Sequence, residues 1–126
     1  MSTGNLEIEA NKDTFMVSCN RELGTIQIEG SSYPEDAMAF FEPVFAWVED
    51  YISQEGKALA VKLAINYLNT SSTKCLFDLI DILEEYYENG GDTKIDWYYH
   101  QKDKDIHEAG EEFREDVQLP FELIAY

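Results

Sequence analysis

Apolar and polar residues alternate in the first part of the chain. In the segment TFMVSCN, Phe15, Val17 and Cys19 fall on one face, and Ile26 and Ile28 do the same in GTIQIEG. A period of two residues is typical of a strand with one buried face, and the polar NREL between the segments marks a turn. The pattern predicts an antiparallel hairpin.

Helical spacing replaces the alternation after residue 32. The first predicted helix opens with Pro34, Glu35 and Asp36, since proline suits a first helical position and acids complement the positive helix end. It ends at Gly56, and Pro43 inside it should kink the helix or remove a hydrogen bond. Its apolar stripe is Ala37, Phe40, Phe41, Val44, Val48, Tyr51 and Ile52.

Two further helices are predicted downstream. One runs from about Ser71 to Asn89 and is ended by Asn89-Gly90-Gly91. Its apolar stripe is Leu76, Leu79, Ile80, Leu83, Tyr86 and Tyr87. The other is short and acidic, with its apolar positions at Ile106, Ala109, Gly110 and Phe113.

Three more strands separate or follow these helices. KALAVKLAINYL is apolar on both faces, as a strand in the middle of a sheet would be, TKIDWYY alternates, and PFELIA forms a short last strand. Strands that alternate with helices predict right-handed crossovers and a mostly parallel sheet. The sequence therefore predicts an α/β fold in one domain over residues 1–126, with a mixed sheet, an N-terminal β-hairpin and helices packed on the sheet.

A run of hydroxyl residues follows the predicted central strand. Asn69 and then Thr70, Ser71, Ser72 and Thr73 stand where the second helix begins. A plain helix cap needs one of them, with Asn69, Thr70 or Ser71 as candidates, and no capping-box glutamate follows. Capping alone does not account for the other hydroxyls.

Lys74 is the second unusual residue in this segment. It falls in the first turn of the predicted helix, where a cation opposes the helix dipole and becomes favourable when an anion binds at the site. A phosphate on Thr70 would add about −1.5 to −2 charges where the helix amides and Lys74 could receive them. The competing interpretation is a simple cap beside a solvated lysine.

The chain is strongly acidic. Among its 126 residues, 26 acidic and 9 basic side chains give a formal net charge of −17. Such a surface repels nucleic acid and anionic membranes and favours a partner with a basic face. No apolar run approaches the roughly 18 residues of a membrane helix, and the N-terminus has no signal region, so a soluble, cytoplasmic protein is expected.

Catalytic and metal-binding signals are weak. The two cysteines, Cys19 and Cys75, have no metal-ligand spacing and are expected to be buried thiols. An enzyme would need a base near a hydroxyl, and His100 and His107 both lie in a polar stretch. We expect no catalytic residue, metal or cofactor.

Four segments, in this order, resemble the landmarks of the SiaC family of bacterial regulatory phosphoproteins: SSYPED, YLNTSSTK, EEFRED and PFEL. The resemblance spans residue 6 to the end and implies a fold similar to the STAS-type anti-sigma-factor antagonists. It also implies that Thr70 is the phosphate acceptor. We expect Asn69, Ser71 and Ser72 to shape the turn around it and Lys74 to stabilise the phosphorylated form.

The function implied by the resemblance is a non-enzymatic partner switch. An anti-sigma-factor-like protein kinase would phosphorylate the threonine and a PP2C-type phosphatase would remove the phosphate. The unphosphorylated form would bind and activate a diguanylate cyclase, which links it to c-di-GMP signalling and biofilm formation. The alternative is an acidic interaction protein that masks a basic partner surface independently of phosphorylation.

Overall fold

The computed structural model describes residues 4–126 as one six-stranded sheet with three helices. The elements are β1 (Leu6–Ile8), β2 (Met16–Asn20), β3 (Thr25–Ser32), α1 (Ala37–Gln54), β4 (Leu59–Leu68), α2 (Thr70–Glu88), β5 (Thr93–Tyr99), α3 (Lys104–Glu115) and β6 (Phe121–Ala125). The predicted α/β class and the mixed sheet with an N-terminal hairpin are confirmed.

The order of the strands in the sheet is the order of the strands in the chain. β1, β2 and β3 pair antiparallel, and β3 to β6 pair parallel. Each of the three crossovers moves the chain one strand further in the same direction, so right-handed connections place α1, α2 and α3 on one face. β4 lies between β3 and β5, as its apolar pattern predicted.

The core fills the space between this face and the helices. Its largest fully buried side chains include Trp47 of α1, Trp97 of β5 and Phe15 before β2. Cys19 and Cys75 are buried and unpaired, which confirms the prediction for both. Burial raises the pKa of the Cys19 thiol to about 12, so it stays protonated at neutral pH.

The other face of the sheet carries no helix from residues 4–126. Ser18, Gln27, Lys62 and Asp96 form a register row across it, and each is partly exposed. Polar residues on an uncovered face are normal for a sheet with one solvated side. None of the helices within residues 4–126 has the length and hydropathy needed to cross a membrane.

The structure corrects three details. The strand β1 was not predicted, because three residues are too few to show an alternation. The first helix begins at Ala37 rather than Pro34, with Asp36 as its N-cap, because the Pro34 carbonyl accepts a hydrogen bond from another segment. Tyr87 is exposed and does not belong to the apolar stripe of α2.

Pro43 lies within α1, and the helix continues through it. A proline has no N–H to donate to the carbonyl four residues earlier, which is that of Ala39. Both residues are exposed, so water can reach the carbonyl that lacks its helical partner. The predicted loss of a hydrogen bond therefore falls on the solvent side of the helix.

Candidate functional site

The carboxyl ends of β3 and β4 meet at one edge of the sheet. These strands are parallel neighbours, with Ser32 paired to Leu68 at their ends. The segment that leads into α1 and the segment that leads into α2 therefore lie side by side. In open α/β sheets, ligands usually bind at the edge formed by the carboxyl ends of the strands.

Asn69 joins the two segments. Its side-chain oxygen accepts from the Ser72 amide at 2.9 Å, which makes it the N-cap of α2. Its side-chain nitrogen donates to the Pro34 carbonyl at 2.8 Å, and its backbone amide donates to the Ser32 carbonyl at 3.1 Å. Of the three cap candidates in the sequence, the structure selects Asn69.

Three of the four hydroxyls in the cluster have structural partners. Ser72 is fully buried, and its hydroxyl shares a 2.6 Å hydrogen bond with that of Ser32. The Ser71 hydroxyl accepts from the Ala37 amide at 3.0 Å and so caps the start of α1. The Thr73 hydroxyl donates to the Asn69 carbonyl at 3.0 Å.

Thr70 is the exception. It is exposed, it is the first residue of α2, and its hydroxyl makes no hydrogen bond with any residue in the range 4–126. Lys74 is also exposed and makes no ion pair within that range. Because α2 begins at Thr70, Lys74 lies one turn later, at i+4, rather than in the first turn as the sequence suggested. Residues at this spacing are neighbours on a helix surface.

Exposed apolar side chains surround this edge. Tyr33 and Tyr67 stack with ring centroids 4.7 Å apart and are 50% and 44% exposed. A register shift after Gly30, whose φ is +111°, changes the pairing from Gly30 with Ile65 to Ser31 with Tyr67. Such an irregularity changes the direction of the side chains beyond it. The alternation of buried and partly exposed residues along β4 therefore ends before Tyr67.

Ser32 and the tyrosine pair were not predicted to be parts of this site. The signal for Ser32 was present, because two parallel neighbouring strands bring the segments after them together. The signal for Tyr33 and Tyr67 was not, because the bulge that exposes Tyr67 follows from pairing rather than from composition.

His100 and His107 have contacts outside the hydroxyl cluster. No hydrogen bond joins His100 or His107 to the hydroxyl cluster within residues 4–126. His107 stacks on Tyr99, and His100 accepts from the Lys102 amide. Burial raises the pKa of the Cys75 thiol, with smaller contributions from Asp78 and Asp36, so this sulfur is not a thiolate at neutral pH.

We expect Ser72→Ala to lower the free energy of unfolding by about 1–2 kcal/mol, because it leaves the buried Ser32 hydroxyl without its partner. The double variant Ser32→Ala/Ser72→Ala should lose less free energy of unfolding than the sum of the losses in the two single variants. Urea unfolding of the two single variants and the double variant measures this coupling. Additive losses would show that the hydroxyl pair contributes nothing as a pair.

A known protein family and a known sequence match this chain over most of its length. A family model described as "SiaC family regulatory phosphoprotein" matches residues 8–126. An uncharacterised protein of Pseudomonas aeruginosa strain UCBPP-PA14 is 34% identical over 121 residues, which cover 96% of each chain.

Solved structures agree with this match. SiaC of Pseudomonas aeruginosa superposes with a TM-score of 0.93 at 33% identity, over 98% of this chain and 100% of that one. A second match, at TM-score 0.93 and 34% identity, is to a crystal structure of the diguanylate cyclase SiaD of Pseudomonas aeruginosa in complex with its activator SiaC. It covers 96% of this chain and 99% of the other.

Proposed function

Because this chain belongs to the SiaC family of regulatory phosphoproteins, we propose that it is a non-enzymatic switch in which phosphorylation of Thr70 controls the binding and activation of a diguanylate cyclase. A relative of similar structure forms a complex with a cyclase as its activator. The cyclase, an anti-sigma-factor-like protein kinase and a PP2C-type phosphatase are the proposed partners.

The observation that carries the proposal is the difference between Thr70 and the neighbouring hydroxyls. A kinase must reach its acceptor oxygen, and Ser72 is fully buried while Ser71 and Thr73 are engaged in hydrogen bonds. Thr70 is exposed and makes no such bond within residues 4–126. The neighbouring side chains fix the turn, and Thr70 stays accessible.

The surroundings of Thr70 favour a phosphate electrostatically. A first-turn position places the added charge at the positive end of the α2 dipole, beside amides that have no helical acceptor. Lys74, one turn later, can approach the phosphate from the same face of the helix. The phosphorylated form is therefore stabilised by groups already in place, and the backbone need not move.

Release of the partner follows from the same charge. The half-exposed rings of Tyr33 and Tyr67, together with Met38 near the start of α1, offer apolar contact area at the edge of the sheet where Thr70 lies. Tyrosine is enriched among the residues that dominate binding energy at interfaces. A dianion enclosed by a partner on this surface without a compensating charge would cost several kcal/mol, which is enough to dissociate the complex.

Phosphosite mapping tests the proposal. The protein is incubated with ATP and a lysate of its host in the presence of phosphatase inhibitors, and the phosphopeptides are identified by mass spectrometry. We expect phosphate on Thr70, no incorporation in Thr70→Ala, and retained incorporation in Ser71→Ala, which removes the adjacent hydroxyl only.

Two outcomes would count against Thr70. Phosphate on Ser71 in the unmodified protein would keep a switch at this turn and move its acceptor by one residue. A complete lack of incorporation, with the host kinase active on a control substrate, would leave the hydroxyl cluster as a structural cap.

A further inference from the structure

A groove of about 290 Å³ lies between the last turns of α1 and α2. Ile52 of α1 and Ile82 of α2 are half-buried against the core and form its floor. Glu49 and Glu85 are exposed, one on each helix, and form its two rims. The groove thus has an apolar centre between two carboxylates.

Tyr86 completes the groove, and its position is fixed. Its hydroxyl donates to the Lys57 carbonyl at 2.7 Å. Its ring lies so close to Gly91 that a Cβ at that position would be 2.5 Å from it. Because these contacts hold the ring, the groove exists before any ligand binds.

The two helices that form the groove are unusually acidic. α1 contains no basic residue, and α2 contains Lys74 alone. Their acidic residues are Glu42, Glu49, Asp50, Asp78, Asp81, Glu84, Glu85 and Glu88. Neither helix has a basic residue in its last turn, although the negative end of the helix dipole favours one there.

Some of these carboxylates have structural roles, and the two at the rims do not. Asp50 pairs with Arg21, and Glu84 accepts from the amides of Gln118 and Leu119. The carboxylates of Glu49 and Glu85 make no hydrogen bond or ion pair with any residue between 4 and 126. They add negative charge at two helix ends that are already negative, and they are available to a cation from outside.

We propose that this groove binds a basic amphipathic segment of a partner protein. An apolar side chain of the segment packs on Ile52 and Ile82, and lysine or arginine residues on either side of it approach Glu49 and Glu85. An amphipathic helix in an apolar groove is a common mode of peptide recognition, and the charge pattern selects a basic one. The acidic side chains of α1 and α2 thereby become part of a specific docking surface.

This surface is separate from the phosphorylation site. Glu85 follows Thr70 by fifteen helical residues, which places it roughly 22 Å away along α2. A segment in the groove therefore does not contact Thr70, and its binding is independent of phosphorylation. One chain can hold a basic segment at one end of α2 and a phosphorylation-sensitive partner at the other.

The test uses the full-length protein and a short fluorescent peptide of leucine and lysine with amphipathic helical spacing. Fluorescence anisotropy gives the dissociation constant. We expect the double variant Glu49→Gln/Glu85→Gln to weaken binding about tenfold, because both rim charges are lost. The control, Glu42→Gln/Asp81→Asn, removes two exposed carboxylates from the same helices outside the groove and should weaken binding less than about twofold.

A second measurement locates the peptide. The methyl NMR signals of Ile52 and Ile82 should shift on titration, whereas a scrambled peptide of the same composition should shift them much less. Equal weakening by both double variants would overturn the proposal, because binding would then follow net charge alone. The absence of binding, or unshifted methyl signals despite binding, would overturn it as well.

Discussion

Thr70→Asp is expected to weaken binding of the proposed diguanylate cyclase partner by about 2 kcal/mol, which is roughly thirtyfold in the dissociation constant. The carboxylate places a charge on the surface that the proposed partner would cover, where it would lose its water without gaining a partner group. Thr70→Ala removes only a hydroxyl that makes no hydrogen bond within residues 4–126, and it should bind as the unmodified protein does. Isothermal titration calorimetry measures all three affinities.

The control for shape is Thr70→Asn, which has the outline of aspartate without its charge. It should bind nearly as well as the unmodified protein. Gln54→Glu adds one charge at an exposed position at the far end of α1 and controls for net charge. Wild-type affinity in Thr70→Asp, or an equal loss in Thr70→Asn, would show that charge at this position does not drive release.

Cyclase activity gives a second test of the same variants. Thr70→Ala should stimulate c-di-GMP synthesis even when the kinase and ATP are present, because it lacks the hydroxyl that the kinase is proposed to phosphorylate. Thr70→Asp should stimulate only at raised protein concentration, in proportion to its weaker binding. Stimulation that the kinase abolishes in Thr70→Ala would place the controlling phosphate at another residue.

Gly24→Ala is expected to lower the free energy of unfolding by about 3 kcal/mol. Gly24 has a φ of +66°, and a Cβ there would lie 2.4 Å from the Ala58 carbonyl oxygen and 2.6 Å from the Tyr51 hydroxyl. Neither atom can move easily, because Tyr51 donates to Ala58 and the Gly24 carbonyl accepts from Ala60. The substitution thus combines backbone strain with a clash against a fixed carbonyl.

Gly56→Ala is the matched control. Its φ of +57° is similar, but a Cβ there would meet only the Ile52 carbonyl, at an ordinary 3.6 Å. It should lose about 1 kcal/mol, which is the cost of the left-handed conformation alone. Guanidinium unfolding followed by tryptophan fluorescence compares the two variants. Equal losses would show that the turn at Gly24 shifts and relieves the clash.

The fold was largely predictable because its elements obey local rules. Alternation marked the hairpin, apolar residues on both faces marked β4 as central, and glycines marked the ends of α1 and α2. What the sequence could not show depends on tertiary contacts. Helix α1 begins at Ala37 and not at the predicted Pro34, because the Pro34 carbonyl and the Ala37 amide form hydrogen bonds with residues of the α2 turn more than thirty positions away.

The candidate site was also predictable only in part. The run from Asn69 to Lys74 was evident from composition, because one cap does not need four hydroxyls. The differences among those hydroxyls were not evident, since the hydroxyl of Ser72 hydrogen-bonds to Ser32, forty residues earlier, and that of Thr70 does not. The bulge that exposes Tyr67 also arises from the pairing of β3 with β4.

The matching order of strands in chain and sheet has a consequence for biosynthesis. Each strand from β2 onward pairs with the strand synthesised just before it, so an emerging segment finds its partner already made. The hydrogen bonds of the Thr70 turn, within the described part of the chain, all join residues between Ser32 and Thr73. The turn can therefore assemble while β5, α3 and β6 are still being translated, because they supply none of these bonds.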